Sequence, residues 1–141
     1  DAYYVSNRTG DFGTLAKRLE SGDNKNYNYL VSYESPLDGG VNLWHCGEIP
    51  FVFHNVDLVA GSYGGSQDAY DLQDVMASAW VNFATTGDPN GDGLAYWPEA
   101  DENMGYIQLG NGISTHDEEL TDLEKLMMDY TTNYFNFPVA D

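Results

Sequence analysis

The sequence is poor in basic residues and in cysteine, and both shortages limit what the protein can do. Only five of its 141 residues are Lys or Arg, against 23 Asp and Glu, so the formal net charge is −18. Such a charge repels phosphate groups, so we expect no nucleic-acid partner and no binding to an anionic membrane surface. Cys46 is the single cysteine, which excludes a disulfide within the chain. No apolar run is long enough for a membrane span.

The remaining composition is that of a folded chain. Hydrophobic residues make up 42% of the sequence, and 11 of them are tyrosines, which is enough to form a core at this length. No internal repeat, low-complexity tract or linker divides residues 1–141, so we expect one segment. The first residues, Asp1-Ala2-Tyr3-Tyr4, show neither an initiator methionine nor a signal-peptide pattern, and we expect the chain to begin inside a longer gene product.

Apolar spacing predicts alternating helices and strands, and therefore an α/β fold. In the first half of the chain we expect a helix along Phe12, Leu15, Ala16 and Leu19, with Asp11 as its cap and Gly22 after its end. We then expect a strand at Tyr27–Tyr33, a turn at Ser35–Gly40 and an irregular surface segment at His54–Ser66. In the second half we expect a long helix at Gln67–Thr86 between Ser66 and Gly87, a short strand at Tyr106–Leu109, and a last helix from the capping box Thr121–Glu124 to about Phe135 with Leu123, Leu126, Met127, Tyr130 and Tyr134 facing inward.

One short run, Leu43–Phe53, combines a histidine, the only cysteine and a carboxylate with apolar and aromatic residues. It follows the predicted strand and turn, and the ligand-binding crevices of open α/β sheets lie at the carboxyl ends of strands. Imidazole accepts and returns protons near neutral pH. On residue types alone, His45 is either a core histidine bonded to a backbone carbonyl, which is the commoner case, or a general base.

A nucleophile to go with His45 is not evident. The sequence lacks a G-x-S-x-G turn, and its two near misses centre on Ser62 and Ser66. Both serines follow His45, whereas enzymes with this motif have the serine first, the acid second and the histidine last. We therefore interpret Ser62 as a loop residue and Ser66 as a helix cap, and expect the nucleophile to lie outside this chain.

Two kinds of metal site can be compared with the sequence, a calcium loop and a transition-metal site. Asp88, Asn90, Asp92 and Glu99, with Gly93 at the turn, match the spacing of an EF-hand calcium loop, but Pro89 and Pro98 disagree with its helical context. A solvated turn is the simpler interpretation, and a calcium- or partner-binding module is the alternative function. The three histidines and Cys46 have no spacing typical of transition-metal ligands, so we predict no such metal site. Cys46 is expected to be a small packed residue.

Several motifs in order resemble one family. The run Trp44–Phe53 is similar to the H-x-x-E-I-P-F-V-F motif around the catalytic histidine of type B carboxylesterases, the cholinesterase-like α/β-hydrolases. Trp80–Asn90 resembles that family's W-x-x-F-A-x-T-G-x-P-N, and the likeness continues through Gly93–Pro98 and Tyr106–Gly110. The family has a loop where the calcium pattern falls.

The resemblance implies the C-terminal part of an α/β-hydrolase fold, in the order helix, strand, His loop, long helix, short strand and C-terminal helix. It implies hydrolysis of a small carboxylic ester without a cofactor, with His45 as general base and Glu48 as a carboxylate that steadies the loop. Trp44, Cys46 and Gly47 would line the substrate pocket, and Cys46 stands where the family often has Gly or Ala. The nucleophilic serine and the triad acid would belong to the N-terminal portion of the same enzyme, which makes that portion the expected partner and the isolated chain inactive.

Overall fold

The structure, a computed structural model, describes residues 13–22 and 24–134 of the chain. Its elements are α1 (residues 13–20), β1 (Asn28–Ser32), β2 (Glu34–Ser35), a 3-10 turn (Leu37–Gly39), β3 (Val41–Asn42), α2 (Ile49–Val52), a second 3-10 turn (Val56–Val59), α3 (Ala60–Tyr63), α4 (Gln67–Thr86), β4 (Tyr106–Gly110), β5 (Ile113–His116) and α5 (Asp122–Tyr134). None of the helices in these ranges is long and apolar enough to cross a membrane.

The principal sheet has the order β1-β4-β5. β1 and β4 are parallel, with Asn28 opposite Tyr106 and Ser32 opposite Gly110, and β4 pairs with β5 in the antiparallel sense. Gly110 allows the close approach at the end of this pair, because a Cβ there would lie 2.5 Å from the Ser32 hydroxyl and 2.9 Å from its carbonyl carbon. Within the described residues, β1 has a partner strand on one edge only.

The long helix α4 forms as predicted. Gly87 ends it in the left-handed conformation, with φ of +76°, and donates its N–H to the Phe83 carbonyl at 2.8 Å. Ser66 occupies the N-cap position, but its hydroxyl makes no capping bond and instead lies 3.1 Å from the Tyr33 hydroxyl. The first turn of α4 is therefore tied to the residue that follows β1.

The core lies between α4, the sheet and the segment from α2 to α3. Its buried apolar members are Tyr33, Phe51, Val56, Tyr63, Ala69, Leu72, Met76, Ala79, Trp97, Ile107 and Leu109. The side-chain oxygen of the buried Gln73 has a partner, because Oε1 accepts the Val56 N–H at 3.0 Å. A smaller cluster forms where Leu15, Ala16 and Leu19 of α1 pack against Met104 and Leu120, as the spacing in the first helix predicted. Asp11 and Phe12 lie outside the described residues.

Other parts of the chain differ from the sequence prediction. The segment His54–Ser66, predicted to be irregular and on the surface, contains a 3-10 turn and α3, and it buries Val56 and Tyr63. One-turn helices are too short to show a periodicity, so apolar spacing does not reveal them. β5 was not predicted either. Its sequence Ile-Ser-Thr-His is mostly polar, and pairing with β4 is what makes it a strand.

The last helix begins as predicted but faces differently. Glu124 accepts hydrogen bonds from the Thr121 N–H (2.9 Å) and hydroxyl (2.8 Å), and the Thr121 hydroxyl accepts the Glu124 N–H at 3.2 Å. The inward prediction was wrong for Leu123, Leu126 and Tyr130, whose side chains are 56%, 64% and 58% exposed. Spacing shows which residues share a face, but not whether the chain covers that face. The side chain of Tyr134 lies outside the described part.

Candidate active-site histidine loop

His45 lies in a tight turn of residues 45–48, which joins the small hairpin of β2 and β3 to α2. The turn is closed by the Gly47 N–H, which donates to the Trp44 carbonyl at 2.9 Å, and the Ile49 N–H donates to the Cys46 carbonyl at 3.3 Å. The His45 side chain is exposed, and its ring makes no hydrogen bond to any residue in the described ranges. His45 is thus not a core histidine: it lies on a hydrogen-bonded turn, and within the described residues its ring nitrogens are available.

Tyr63 of α3 anchors this loop, although no sequence motif predicts this role. Its buried hydroxyl donates to the Gly47 carbonyl at 2.8 Å, and its ring centroid lies 5.3 Å from that of Trp44. Burial raises the pKa of the Tyr63 phenol above its ordinary value of 10.0, and the nearby Glu48 carboxylate raises it further. The phenol therefore remains a proton donor to the loop across the neutral pH range. No local motif marks Tyr63, because it reaches the loop only through the fold.

Two further aromatic residues hold Tyr63 in place. Tyr33, which follows β1, donates its hydroxyl to the Tyr63 carbonyl at 2.9 Å in the interior. Phe51 of α2 is fully buried, with its ring centroid 5.2 Å from both Tyr33 and Tyr63. Edge-to-face aromatic pairs of this kind contribute about 0.5–1.5 kcal/mol each beyond their area burial. The three rings form a platform beneath the His45 turn.

The other predicted site residues fall into different positions around the turn. Gly47 is buried, and a Cβ there would meet the Trp44 carbonyl oxygen at 2.9 Å, so glycine is needed for backbone closure. Glu48 is half-buried, and its backbone carbonyl accepts the N–H groups of Phe51 and Val52 at 3.0 and 3.2 Å. Trp44 is 49% exposed beside Tyr63. Lining of a substrate pocket by Trp44, Cys46 or Gly47 remains a prediction.

The expectation that Cys46 is a packed residue was wrong. The thiol is exposed, and the backbone of Cys46 has φ of +63°, in the left-handed region that favours glycine. Apolar neighbours in the sequence suggested burial, but the tight turn directs this position outward. The positive φ also gives a physical reason why glycine suits the position after the histidine.

We predict that Cys46→Gly raises the free energy of unfolding by about 0.5–1 kcal/mol. The left-handed conformation costs a residue with a Cβ about 1–2 kcal/mol, and the greater freedom of glycine in the unfolded chain offsets part of this gain. Cys46→Ala is the matched control and should leave stability within about 0.5 kcal/mol. Urea unfolding followed by circular dichroism measures both variants. A loss of stability in Cys46→Gly alone would contradict the strain argument.

The calcium-like loop uses its own ligand groups internally. Asp88 Oδ1 accepts both the backbone N–H and the side-chain amide of Asn90, at 2.9 and 2.8 Å. The Asn90 Oδ1 in turn accepts the Trp97 N–H at 2.8 Å. Hydrogen bonds from the Asn90 backbone and side chain lower the pKa of Asp88. Among residues 13–22 and 24–134, no group of three or more His, Cys, Asp or Glu side chains is placed to hold a metal ion. The geometry favours a turn whose polar groups hydrogen-bond to one another.

The remaining candidates make separate structural contacts. Ser62 contributes its carbonyl to the Ser35 hydroxyl at 3.4 Å, in a helical turn rather than a strand-to-helix elbow. His54 pairs with Asp74 of α4 at 2.6 Å, and His116 lies 2.9 Å from the Ser114 hydroxyl. Each of these two histidines thus has a hydrogen-bond partner of its own.

Comparison with known proteins gives a consistent result. The Carboxylesterase family profile matches residues 8–129. Carboxylesterase 1C of Mus musculus is 44% identical over 66 residues, which is 47% of this chain and 11% of that protein. Carboxylesterase 1E of Rattus norvegicus is 32% identical over 84 residues, which is 60% of this chain and 15% of that protein.

Solved structures agree with the sequence relatives. An esterase from Clostridium hathewayi, described as hydrolysing aliphatic aromatic polyesters, superposes with a TM-score of 0.63 at 26% identity over 77% of this chain and 21% of its own. A Geobacillus stearothermophilus carboxylesterase superposes with a TM-score of 0.58 at 29% identity over 72% of this chain and 21% of its own. The chain thus spans between 11% and 21% of the length of these four proteins.

Proposed function

The chain belongs to the carboxylesterase family and is part of an α/β-hydrolase fold, and from this premise we propose that it supplies the general base, His45, of a serine esterase. The observation that carries the proposal is the state of His45 itself. Its ring is exposed and has no hydrogen-bond partner in the described residues, on a turn that Tyr63 holds from below. A base that must receive a proton from another group needs this combination of fixed position and available nitrogen.

In the proposed reaction, His45 takes the proton from a serine hydroxyl as that oxygen attacks the ester carbonyl. The alkoxide leaves with the same proton, which His45 returns, and an acyl-serine forms. Water then attacks the acyl group while His45 accepts its proton, and His45 returns that proton to the serine oxygen as the bond between acyl carbon and serine oxygen breaks, which releases the carboxylic acid and restores the serine. The substrate is a small carboxylic ester, and no cofactor enters any step.

The serine and the triad acid are proposed to come from the N-terminal portion of the same enzyme. Residues 1–141 would then form its C-terminal part. Two features of the surface support such a partner. In the described residues, β1 is paired on one edge only, and an open strand edge invites pairing with another strand. Four large apolar side chains around the His45 turn and after it are exposed, namely Trp44 (49%), Ile49 (44%), Phe53 (70%) and Leu58 (77%).

The test compares the chain alone with the chain joined to its preceding portion. We expect the 141-residue chain to hydrolyse p-nitrophenyl butyrate at the buffer rate and to take no label from a fluorophosphonate probe. We expect the joined protein to do both, because only it holds the serine. Turnover by the isolated chain that disappears in His45→Ala would show that a nucleophile lies on this chain, and would contradict the proposal of a shared site. Label on a joined protein that lacks turnover would contradict the esterase assignment.

The alternative of a calcium- or partner-binding module built on Asp88–Glu99 gains no support from the geometry. Asp88 and Asn90, which carry two of the four oxygen groups of the pattern, already hydrogen-bond to each other, and the Asn90 side-chain oxygen also accepts the Trp97 N–H.

A further inference from the structure

A cleft separate from the His45 turn lies between α1 and the second half of α4. Its volume is about 540 Å³, within the range typical of small-molecule sites. The residues that matter in its lining are Arg18, Lys25, Tyr27, Trp80, Phe83 and Trp97, and we call it the aromatic cleft. None of its lining residues belongs to the segment from β3 to α3 that carries His45.

The walls of the aromatic cleft are aromatic rings held in fixed positions. The Trp80 and Trp97 centroids are 5.7 Å apart, and Tyr27 meets Phe83 edge to face at 5.8 Å. Trp97 is locked further because its indole N–H donates to the Asn28 carbonyl at 2.8 Å. Phe83 nevertheless remains 44% exposed, so this wall is not fully covered. Rigid aromatic surface of this kind suits a flat apolar or aromatic guest, because few side chains need to be ordered on binding.

The charged groups of the cleft are positive, and positive charge is rare in this chain. Arg18 and Lys25 are two of only five basic residues in a sequence with 23 acidic ones. The Arg18 guanidinium has no hydrogen bond or ion pair to any other described residue. The Lys25 ammonium already interacts with the Asp88 carboxylate. Hydrogen bonds from Asn90 are the main cause of the lowered pKa of Asp88, and the charge of Lys25 lowers it further. Arg18 is therefore the cation available to a ligand, with a fork of donors that matches a carboxylate.

We propose that the aromatic cleft binds a small aromatic carboxylate, with its ring against Trp80 and Phe83 and its carboxylate on Arg18. Charge complementarity selects an anion, because the two charged residues in the described lining, Arg18 and Lys25, are both positive. The inference does not depend on esterase activity, and its readout involves no hydrolysis.

The test titrates the ¹⁵N-labelled chain with 2-naphthoate and follows the three tryptophan indole N–H signals by NMR. We expect the signals of Trp80 and Trp97 to shift saturably and that of Trp44 to stay constant. Arg18→Gln should raise the Kd about tenfold, which corresponds to about 1.4 kcal/mol. The matched control is Lys17→Gln, which removes the same charge from the adjacent exposed residue outside the cleft, and it should change Kd less than twofold. The uncharged 2-naphthylmethanol should bind about tenfold more weakly.

Five outcomes would overturn the proposal. Equal weakening by Arg18→Gln and Lys17→Gln would indicate general charge attraction, and equal binding of naphthylmethanol would indicate an apolar groove without anion preference. An unchanged spectrum would show that naphthoate does not enter. Binding that His45→Ala abolishes would place the anion at the catalytic loop instead.

The folded spectrum of each variant shows directly that the fold is retained, and Arg18→Lys should keep part of the affinity because it keeps the charge. Binding to the isolated chain that is lost in the joined protein would identify another protein segment as the occupant, and would also overturn it.

Discussion

Replacing His45 by alanine in a protein that joins this chain to the proposed N-terminal portion is expected to lower kcat/KM for p-nitrophenyl butyrate by about 10³–10⁵. General acid–base catalysis contributes about 10²–10⁴, and loss of a triad member approaches the upper end because the serine loses its proton acceptor. The effect should appear mainly in kcat, since the substrate pocket stays in place. Labelling by a fluorophosphonate should slow in parallel, because it uses the same nucleophile.

His54→Ala is the matched control for this prediction. His54 is also an exposed histidine in the same stretch of chain, but its Nε2 is already paired with Asp74 at 2.6 Å. We expect His54→Ala to change kcat/KM less than twofold. Comparable losses in the two variants would indicate a general disturbance of this surface, and full activity in His45→Ala would exclude the general-base role. Circular dichroism of both variants shows whether the fold is retained.

Phe51→Ala is expected to lower the free energy of unfolding by about 3–5 kcal/mol, the range for truncation of a buried phenylalanine. Phe51 is fully buried and its ring lies 5.2 Å from both Tyr33 and Tyr63. Removing it leaves a cavity in the aromatic platform beneath the His45 turn, so the turn should loosen as well. Because whole domains are stable by only about 5–15 kcal/mol, the variant loses a large part of the total. Urea unfolding followed by circular dichroism measures the change.

Phe53→Ala, two residues further on, is the control. Its side chain is 70% exposed, so the same truncation should change stability by less than about 0.5 kcal/mol. If Phe51→Ala does not fold, Phe51→Leu keeps most of the volume and should lose less than about 1.5 kcal/mol. Equal effects of Phe51→Ala and Phe53→Ala would contradict the placement of Phe51 in the core.

Structural features could be predicted from the sequence when their physical cause lies within a few neighbouring residues. The bounds of α4 and the capping box at Thr121 and Glu124 depend on residues a few positions apart, and both are confirmed. The strand at β1 and the short strand at β4 were predicted from runs of β-branched and aromatic residues, and both form. The family was indicated by ordered motifs and is confirmed by the profile match over residues 8–129.

Local sequence thus determined the long helix with its Gly87 end, the parallel strands β1 and β4, the capping box at Thr121 and Glu124, and the position of the histidine turn after β1, because each follows from spacing, end groups or turn residues within one short stretch. Only the three-dimensional structure decided that Tyr63 supports the turn, that Cys46 is exposed with a positive φ, and that Leu123, Leu126 and Tyr130 of α5 are exposed. The first of these depends on two groups that are distant in the sequence, the Tyr63 hydroxyl and the Gly47 carbonyl. Their contact exists only once α3 has packed beneath the loop that carries His45.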